Sequence, residues 1–284
     1  MNDGRMPVLV INLVSSPDRK SSIVQQFEGS GWQPTFVSAY DGHDGAFPFY
    51  RYKQLAGLWW DNRSEFKPGA FCCYLSHAKC WRRIANGNAD YALVLEDDVQ
   101  IYIDALSALN ADQLPDFDLL LVNQRTRAYL KHLDDAPEWP ALGHLITRLI
   151  QEGTFRKNIP APGADGYIVS KAGARKLLRM ARTRRICMGV DYALVLHSLD
   201  QGQIDALRRM DNDSLPFSVR CFLANEIDAP GGAMDINTYI YTGPPLLRMR
   251  PFGTTIGDTR LPNSRFEQKP GLIRRIRDSM SYRD

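Results

Sequence analysis

The 284-residue chain lacks any apolar run long enough to cross a lipid bilayer. Its first residues, MNDGRMPVLV, also lack the charged start, apolar stretch and cleavage site of a secretory signal peptide. The formal net charge of +3 is too small to indicate a nucleic-acid-binding protein. From these absences we expect a cytoplasmic protein whose partners do not include nucleic acid.

Cysteines are few and odd in number, which excludes a disulfide framework. There are five, two of them adjacent at Cys72 and Cys73, as suits a reducing compartment. Cys73, His77 and Cys80 are spaced to share one face of a helix, where they could ligate zinc. A structural zinc site needs a fourth ligand and none is obvious nearby, so we interpret the three as core residues.

The hydrophobic content of 44% is enough for a full core, and it is distributed in an alternation of strand and helix patterns. Apolar stretches at 8–13, 34–42, 91–96, 117–123 and 165–170 predict strands. Helical spacing predicts helices from Pro17 to before Gly29, at 70–86, and after Ser170, with Ser16 and Ser170 as N-caps. This order predicts an α/β fold with an open, mostly parallel sheet and helices on both faces. The stretches 127–163 and 211–270 lack clean periods and are predicted to be loops around a site.

Three consecutive carboxylates, Glu96, Asp97 and Asp98, follow the apolar strand YALVL. Because side chains alternate along a strand, Glu96 and Asp98 should face one side and Asp97 the other. Ligands bind at the carboxyl ends of strands in open α/β sheets, and two carboxylates there repel each other unless a cation lies between them. Hard oxygen ligands suit Mg²⁺ or Mn²⁺. From these residues alone, a solvated acidic turn or a helix cap remains the alternative.

An ordered set of motifs resembles glycosyltransferase family 25, the bacterial lipopolysaccharide and lipooligosaccharide biosynthesis enzymes related to collagen galactosyltransferases. The motifs are VINLVSSPDR near the N-terminus, SAYDG at 38–42, GAFCCYLSHAKCW at 69–81, YALVLEDDV at 91–99, and GADGYIVSKAGARKLL followed by VDYAL at 163–194. The combination of SH-xxx-W with EDD is the specific part, and the set covers roughly the first 195 residues. The chain departs from the family at KPGAFCCYLSH, where an acidic residue and a second glycine usually precede SH.

The resemblance implies a GT-A type fold with a Rossmann-like sheet, an inverting transfer from a UDP-sugar, and Mn²⁺ or Mg²⁺ bound by the EDD motif. Asp98 would be the principal metal ligand, and Glu96 a second ligand or a partner of the donor ribose. Asp97 would support the loop or contact the donor. Galactose is the family's commonest donor and is our expectation, with glucose close behind. The acceptor would be a glycan of lipopolysaccharide, lipooligosaccharide or another surface polysaccharide.

In a fold of this kind, the first strand and the turn after it contribute to the nucleotide pocket. Asn12 ends that strand, and Arg19 lies in the first turn of the following helix, where backbone N–H groups and an arginine can meet phosphate oxygens. Both are candidates for donor binding. The alternative for Arg19 is a surface ion pair with Asp18 or Glu28.

Four further donor-site candidates lie in the SAYDG and SH motifs. Tyr40 could stack on uracil while Asp41 accepts a hydrogen bond from the base or ribose, although YDG is also ordinary turn chemistry. Ser76 and His77 are placed at the donor site by the family motif. The alternative for His77 is a histidine whose nitrogens are satisfied within the core.

An inverting transfer needs a general base, and Asp191 is the candidate because it matches the acidic residue after the family's second helix. Its apolar neighbours in CMGVDYALVL should strengthen it as a base. Its alternative role is the N-cap of a helix starting at Tyr192. Asp165 is a weaker candidate for the base and a contact for the donor sugar or the acceptor.

We expect one glycosyltransferase domain over 1–270, with a nucleotide-binding half at about 1–125 and an acceptor half at about 126–270. The tail 271–284 carries an apolar stripe beside arginines, which predicts either peripheral binding to the cytoplasmic face of the inner membrane or a last helix packed on the core. Two other functions remain open. One is a sugar-nucleotide-binding scaffold with a decayed catalytic site; the other is a nucleotidyltransferase, although VSSPDRK lacks the glycine-rich loop such enzymes usually have.

Overall fold

The computed structural model describes residues 5–57, 68–109, 114–123, 139–155, 163–226 and 236–249. The strands are β1 Val8–Asn12, β2 Pro34–Ser38, β3 Tyr91–Glu96, β4 Val99–Ile101, β5 Leu119–Leu121, β6 Gly166–Ser170, β7 Thr238–Ile240 and β8 Leu247–Met249. The α-helices are α1 Pro17–Phe27, α2 Pro68–Asn86, α3 Ile103–Ala108, α4 Leu142–Gln151, α5 Lys171–Thr183, α6 Val190–Leu196, α7 Gln201–Arg208 and α8 Phe217–Glu226. Within the same described ranges, 3₁₀ helices span Phe49–Leu55 and Asn212–Ser214.

In the part of the chain that the structure describes, the central sheet contains six strands in the order β2-β1-β3-β6-β5-β7. All its strands run the same way except β6, which is antiparallel to both of its neighbours. The predicted mostly parallel sheet is therefore confirmed. The reversal of β6 matters for the site, because its first residues lie at the same edge as the last residues of β1 and β3. The backbone N–H of Glu96 donates to the carbonyl of Asp165 across this edge at 3.0 Å.

Helices cover both faces of the sheet, as the alternation predicted. Leu9 and Ile11 of β1 pack into one core with buried residues of α2, α4, α5, α6, α7 and α8. Val8 and Val10 point the opposite way, into a second core with α1 and α3. Because β1 buries both of its faces, its sequence VLVI is continuously apolar and does not alternate with polar residues.

Two predicted helix starts behave differently in the structure. Ser170 caps α5 as expected, since its Oγ accepts the Gly173 N–H at 2.9 Å. Ser16 precedes α1, but its side chain makes no capping hydrogen bond with the described residues; Pro17 and the acidic Asp18 in the first turn mark the start of the helix. Gly173 is required for packing as well, because a Cβ there would lie 2.1 Å from the carbonyl oxygen of Asp118.

The predicted loops at 127–163 and 211–270 are partly wrong. The first contains α4, whose buried residues Leu142, Leu145, Ile146 and Leu149 recur at helical spacing. The second contains α8 and the short strands β7 and β8, of which β7 extends the central sheet and β8 pairs with β4. Tertiary pairing with distant strands stabilises β7 and β8, and a three-residue run gives no usable period.

Among the described residues, no helix is both long and apolar enough to span a membrane. The tail 271–284, for which membrane binding or core packing was predicted, lies outside the described residues.

A histidine buried at the end of α6 should make the fold sensitive to acid. His197 is 1% exposed, neither ring nitrogen has a hydrogen-bond partner within the described residues, and the Phe222 ring packs 6.2 Å away. Burial, followed by the positive charge of Arg184, lowers the pKa of His197 from 6.5 to about 3. When the pH lies between these two values, His197 is therefore protonated in the unfolded chain and neutral in the folded chain.

We predict that the free energy of unfolding falls as the pH drops below 6.5. Between pH 7.5 and pH 5.5, His197 alone should lower the free energy of unfolding by about 1.4 kcal/mol. The reason is that this free energy falls by about 1.4 kcal/mol for each pH unit below the pKa of the unfolded chain. Urea unfolding at the two pH values measures the difference, and His197→Leu should reduce it by about the same 1.4 kcal/mol. The exposed His144, replaced by leucine, is the control and should leave the difference as in the wild type. If His197→Leu shows the same difference in unfolding free energy between the two pH values as the wild type, His197 is not the group responsible.

Candidate active site

A cavity of about 320 Å³ opens at the carboxyl edge of β1, β2 and β3. This volume is within the range of small-molecule sites. Nine of the eleven residues proposed from the sequence for metal binding, donor binding or catalysis line it: Arg19, Tyr40, Asp41, Ser76, Glu96, Asp97, Asp98, Asp165 and Asp191. The other two candidates, Asn12 and His77, each hydrogen-bond a lining carboxylate. Residues separated by up to 180 positions therefore meet around one pocket.

The middle carboxylate of the acidic triplet is held by two side chains from the first strand-to-helix unit. Asn12 Nδ2 donates to Asp97 Oδ2 at 2.7 Å, and Arg19 Nη1 donates to Asp97 Oδ1 at 3.1 Å. The same Arg19 nitrogen lies 3.7 Å from Asp98 Oδ2. Arg19 is only 9% exposed, so the alternative of a surface ion pair with Asp18 or Glu28 is wrong.

The charge of the pocket is strongly unbalanced. Six carboxylates line it: Asp41, Glu96, Asp97, Asp98, Asp165 and Asp191. Among the described lining residues the only arginine or lysine is Arg19. Asp98 and Asp165 are 8% and 3% exposed, so solvent screens them poorly. Carboxylate oxygens are the donors that Mg²⁺ and Mn²⁺ prefer, and the residues present therefore fit a divalent cation.

Glu96 has a buried imidazole as its neighbour. His77 Nε2 lies 3.1 Å from Glu96 Oε1, and His77 Nδ1 lies 2.9 Å from the hydroxyl of Tyr167. Trp81 Nε1 donates to the same hydroxyl at 2.7 Å. Burial lowers the pKa of His77 from 6.5 to about 4, so the ring is neutral near pH 7. His77 therefore matches the predicted alternative of a histidine whose nitrogens are satisfied within the core. One of its two partners, Glu96, is also a carboxylate of the pocket.

Cys73 completes a cluster with His77 and Glu96, in which one potential metal-ligand atom of each lies within 4.8 Å of the others. The Cys73 thiol lies 3.9 Å from Glu96 Oε1. Burial and the charge of Glu96 raise the pKa of the Cys73 thiol well above its ordinary value. Cys80, which the sequence placed on the same helix face, is buried and lies outside this cluster.

The loop after β2 is fastened to α2 by Ser76. Its Oγ accepts the Tyr40 N–H at 2.8 Å and donates to the Cys72 carbonyl at 2.7 Å. The ammonium of Lys79 lies 3.5 Å from the centroid of the Tyr40 ring, and the Tyr52 hydroxyl donates to the Tyr40 hydroxyl at 2.8 Å. Burial, more than the Tyr52 contact, raises the pKa of Tyr40 to about 12, so its hydroxyl stays protonated. Ser76 and Tyr40 thus shape the pocket wall together.

Asp41 accepts a hydrogen bond within the turn, as the predicted alternative for YDG describes. Its Oδ1 accepts the His43 N–H at 2.8 Å, while the side chain also lines the pocket. The next residue, Gly42, packs against the first turn of α2, where a Cβ would lie 2.5 Å from the Gly69 nitrogen. This close approach accounts for the glycine in YDG.

Asp191 lies in the first turn of α6 and is not its N-cap. The helix begins at Val190 with Gly189 as the N-cap, so the predicted start at Tyr192 is wrong. Asp191 Oδ1 accepts the Ala164 N–H at 2.9 Å, which fixes the carboxylate beside the start of β6. The side chain is half-buried. Its neighbours Val190, Ala193 and Leu194 are buried in the core, and Asp191 itself lines the pocket.

Sequence reasoning missed Tyr167 and Trp81 as neighbours of the site. Tyr167 pairs in register with Val94 on β3, two residues before Glu96. Trp81 follows His77 by four residues on α2, one helical turn. The tryptophan was visible in the SH-xxx-W motif, but its contact with a tyrosine 86 positions later had no local signal.

Most of this chain matches a known protein family. The profile of glycosyltransferase family 25 (LPS biosynthesis protein) matches residues 6–194, a span that includes every residue discussed above as lining the pocket. Among solved structures, the chain is similar to the apo structure of the bifunctional glycosyltransferase WbbM, with 10% sequence identity and a TM-score of 0.36. That match covers 85% of this chain and 46% of the WbbM chain. No curated protein matches the sequence. The profile match covers well over half of the chain, which therefore belongs to glycosyltransferase family 25.

Proposed function

We propose that the protein is an inverting, metal-dependent transferase that moves a hexose, galactose by default, from a UDP-sugar to a glycan acceptor. Lipopolysaccharide, lipooligosaccharide or another surface polysaccharide is the proposed acceptor class. The observation that supports this proposal most is a pocket at the carboxyl edge of the sheet, where six carboxylates meet one arginine among the described lining residues.

The charge imbalance is the reason for including a metal. A nucleotide diphosphate is itself an anion, and carboxylates of low exposure would repel it across a poorly screened pocket. Glu96 and Asp98 would hold Mn²⁺ or Mg²⁺, which when bound would neutralise charge on the departing diphosphate. Asn12 and Arg19 hold Asp97 through short hydrogen bonds, so these two residues fix the loop that carries the ligands.

Asp191 is the proposed general base. The acceptor hydroxyl oxygen attacks the anomeric carbon, and the bond from that carbon to the diphosphate oxygen breaks with its electron pair leaving on the nucleotide. The hydroxyl proton passes to the Asp191 carboxylate as the new bond forms. The hydrogen bond from Ala164 holds one oxygen of that carboxylate in place, so the base is positioned before the acceptor arrives. No covalent intermediate is required.

We predict that UDP raises the melting temperature only when Mn²⁺ or Mg²⁺ is present. Ligand at about 100 times its dissociation constant should stabilise the fold by roughly 2.7 kcal/mol. Asp98→Ala should abolish the metal-dependent part of the shift, because it removes a proposed ligand. Asp205→Ala, which removes a half-exposed carboxylate on α7, is the matched control and should keep the full shift.

The thermal shift, together with an assay of donor hydrolysis and transfer, separates the other functions. A UDP shift without donor hydrolysis or transfer would favour a sugar-nucleotide-binding scaffold. A shift with nucleoside triphosphates but not with UDP would favour a nucleotidyltransferase. No shift with any nucleotide would refute the proposed donor site and would leave the acidic triplet with a structural role.

A further inference from the structure

Three fully buried side chains form a continuous line of hydrogen bonds that ends on Glu96. Trp81, His77 and Tyr167 are each 0% exposed. The distances along the line are 2.7 Å from Trp81 Nε1 to the Tyr167 hydroxyl, 2.9 Å from that hydroxyl to His77 Nδ1, and 3.1 Å from His77 Nε2 to Glu96 Oε1. Two elements supply the line, because Trp81 and His77 lie on α2 and Tyr167 lies on β6.

The chemistry of the groups gives this line one direction. An indole N–H can only donate, so the Tyr167 oxygen accepts from Trp81. The hydroxyl proton of Tyr167 is then directed to His77 Nδ1, which must be the unprotonated nitrogen. The ring N–H is therefore on Nε2, where it donates to the Glu96 carboxylate.

The opposite tautomer is disfavoured at both ends of the ring. With the proton on Nδ1, the Tyr167 oxygen would receive two donors and its own proton would be directed away from the ring. His77 Nε2 would then present a lone pair to a carboxylate oxygen 3.1 Å away. Buried polar groups are costly when they are unpaired, and here one tautomer satisfies every member of the line.

We propose that Trp81, Tyr167 and His77 are positioning residues that orient Glu96 toward the pocket through this one-directional hydrogen-bond relay. Glu96 is the only member with access to the pocket, since its side chain is 23% exposed and it lines the cavity. In this relay, His77 acts on the donor site through the carboxylate of Glu96 and does not contact the donor directly. Its effect on ligand binding rests on the proposed function, whereas its direction does not.

The direction can be read directly from the imidazole nitrogens. Long-range ¹H–¹⁵N correlation spectra of the full chain at pH 7.5 distinguish the two tautomers, and loss of one signal set in His77→Gln assigns the ring among the five histidines. We expect His77 to carry its proton on Nε2. The Nδ1-protonated tautomer would overturn the relay, because it turns a free lone pair toward Glu96 and Cys73 as a metal ion would require.

The effect on Glu96 is tested by removing single donors. Tyr167→Phe removes only the hydroxyl and Trp81→Phe replaces the indole with a smaller aromatic ring that has no N–H, so both break the line. Each should weaken Mn²⁺ binding in the presence of UDP about 10- to 100-fold, measured by calorimetry. His77→Gln keeps an N–H donor for Glu96 and should bind Mn²⁺ more tightly than His77→Leu. Tyr74→Phe is the matched control: the buried Tyr74 ring packs 5.4 Å from Trp81, and its hydroxyl has no hydrogen-bond partner among the described residues.

The outcomes separate the relay from the proposed function. If Tyr167→Phe, Trp81→Phe and Tyr74→Phe all bind Mn²⁺ as the wild type does, the positioning role is refuted. If the three variants weaken binding equally, the effect is one of core packing and the positioning role is again refuted. If the wild type binds neither Mn²⁺ nor UDP, the proposed function fails, while the tautomer measurement still decides the direction of the relay.

Discussion

Asp191→Asn is expected to lower kcat for sugar transfer by roughly 10²- to 10⁴-fold, the usual contribution of a general base. The substitution removes the basic oxygen but keeps an amide oxygen that can accept the Ala164 N–H, now at 2.9 Å from Asp191 Oδ1. The fold and the start of β6 should therefore be retained. Initial rates with a UDP-sugar donor, together with the UDP-dependent thermal shift, measure the two effects separately.

The expected pattern is a loss of kcat with an unchanged thermal shift, because a base acts on the acceptor and not on the nucleotide. Asp165→Asn provides the comparison, since Asp165 lines the same cavity and was the weaker candidate. If Asp165→Asn loses kcat and Asp191→Asn does not, the roles must be exchanged. Asp205→Asn on the surface should have no effect on either quantity.

The parts of this molecule that could be predicted from sequence are those with a local period. Strand β3 ends at Glu96 as expected, and α2 begins two residues before the predicted position 70. Apolar runs and helical stripes carry that information in consecutive residues. The direction of β6 has no such local signal, because a period of two is the same for a parallel and an antiparallel strand.

The contacts that organise the site could not be predicted, for the same physical reason. Arg19 and Asp97 are 78 positions apart, and although both were candidates for the donor site, no local pattern indicated that they pair with each other. His77 and Glu96 belong to consecutive elements, but only the packing of α2 on β3 sets their 3.1 Å contact. Sequence reasoning therefore identified the residue types that the chemistry needs and left their pairing open.

Arg19→Leu is expected to destabilise the fold by about 3 kcal/mol or more, because removal of one member of a buried ion pair leaves uncompensated charge. The side chains of Arg19 and Asp97 are each about 10% exposed, and the guanidinium also lies 3.7 Å from Asp98. Urea unfolding at pH 7.5 without metal measures the loss. Arg208→Leu is the control, since its pair with Asp205 is 38% and 46% exposed and should contribute less than about 1 kcal/mol.

A double substitution tests whether charge is the cause. Asp97→Asn in the Arg19→Leu background removes one of the two carboxylates left without the guanidinium, while its amide oxygen can still accept from Asn12. The double variant should recover part of the stability lost in Arg19→Leu. Its loss should differ from the sum of the two single losses by about 0.5–3 kcal/mol, the coupling energy typical of contacting residues. Additive losses would contradict the charge argument and would attribute the effect of Arg19 to packing of its side chain. Because Mn²⁺ would also offset the uncompensated negative charge of these carboxylates, it should stabilise Arg19→Leu more than it stabilises the double variant.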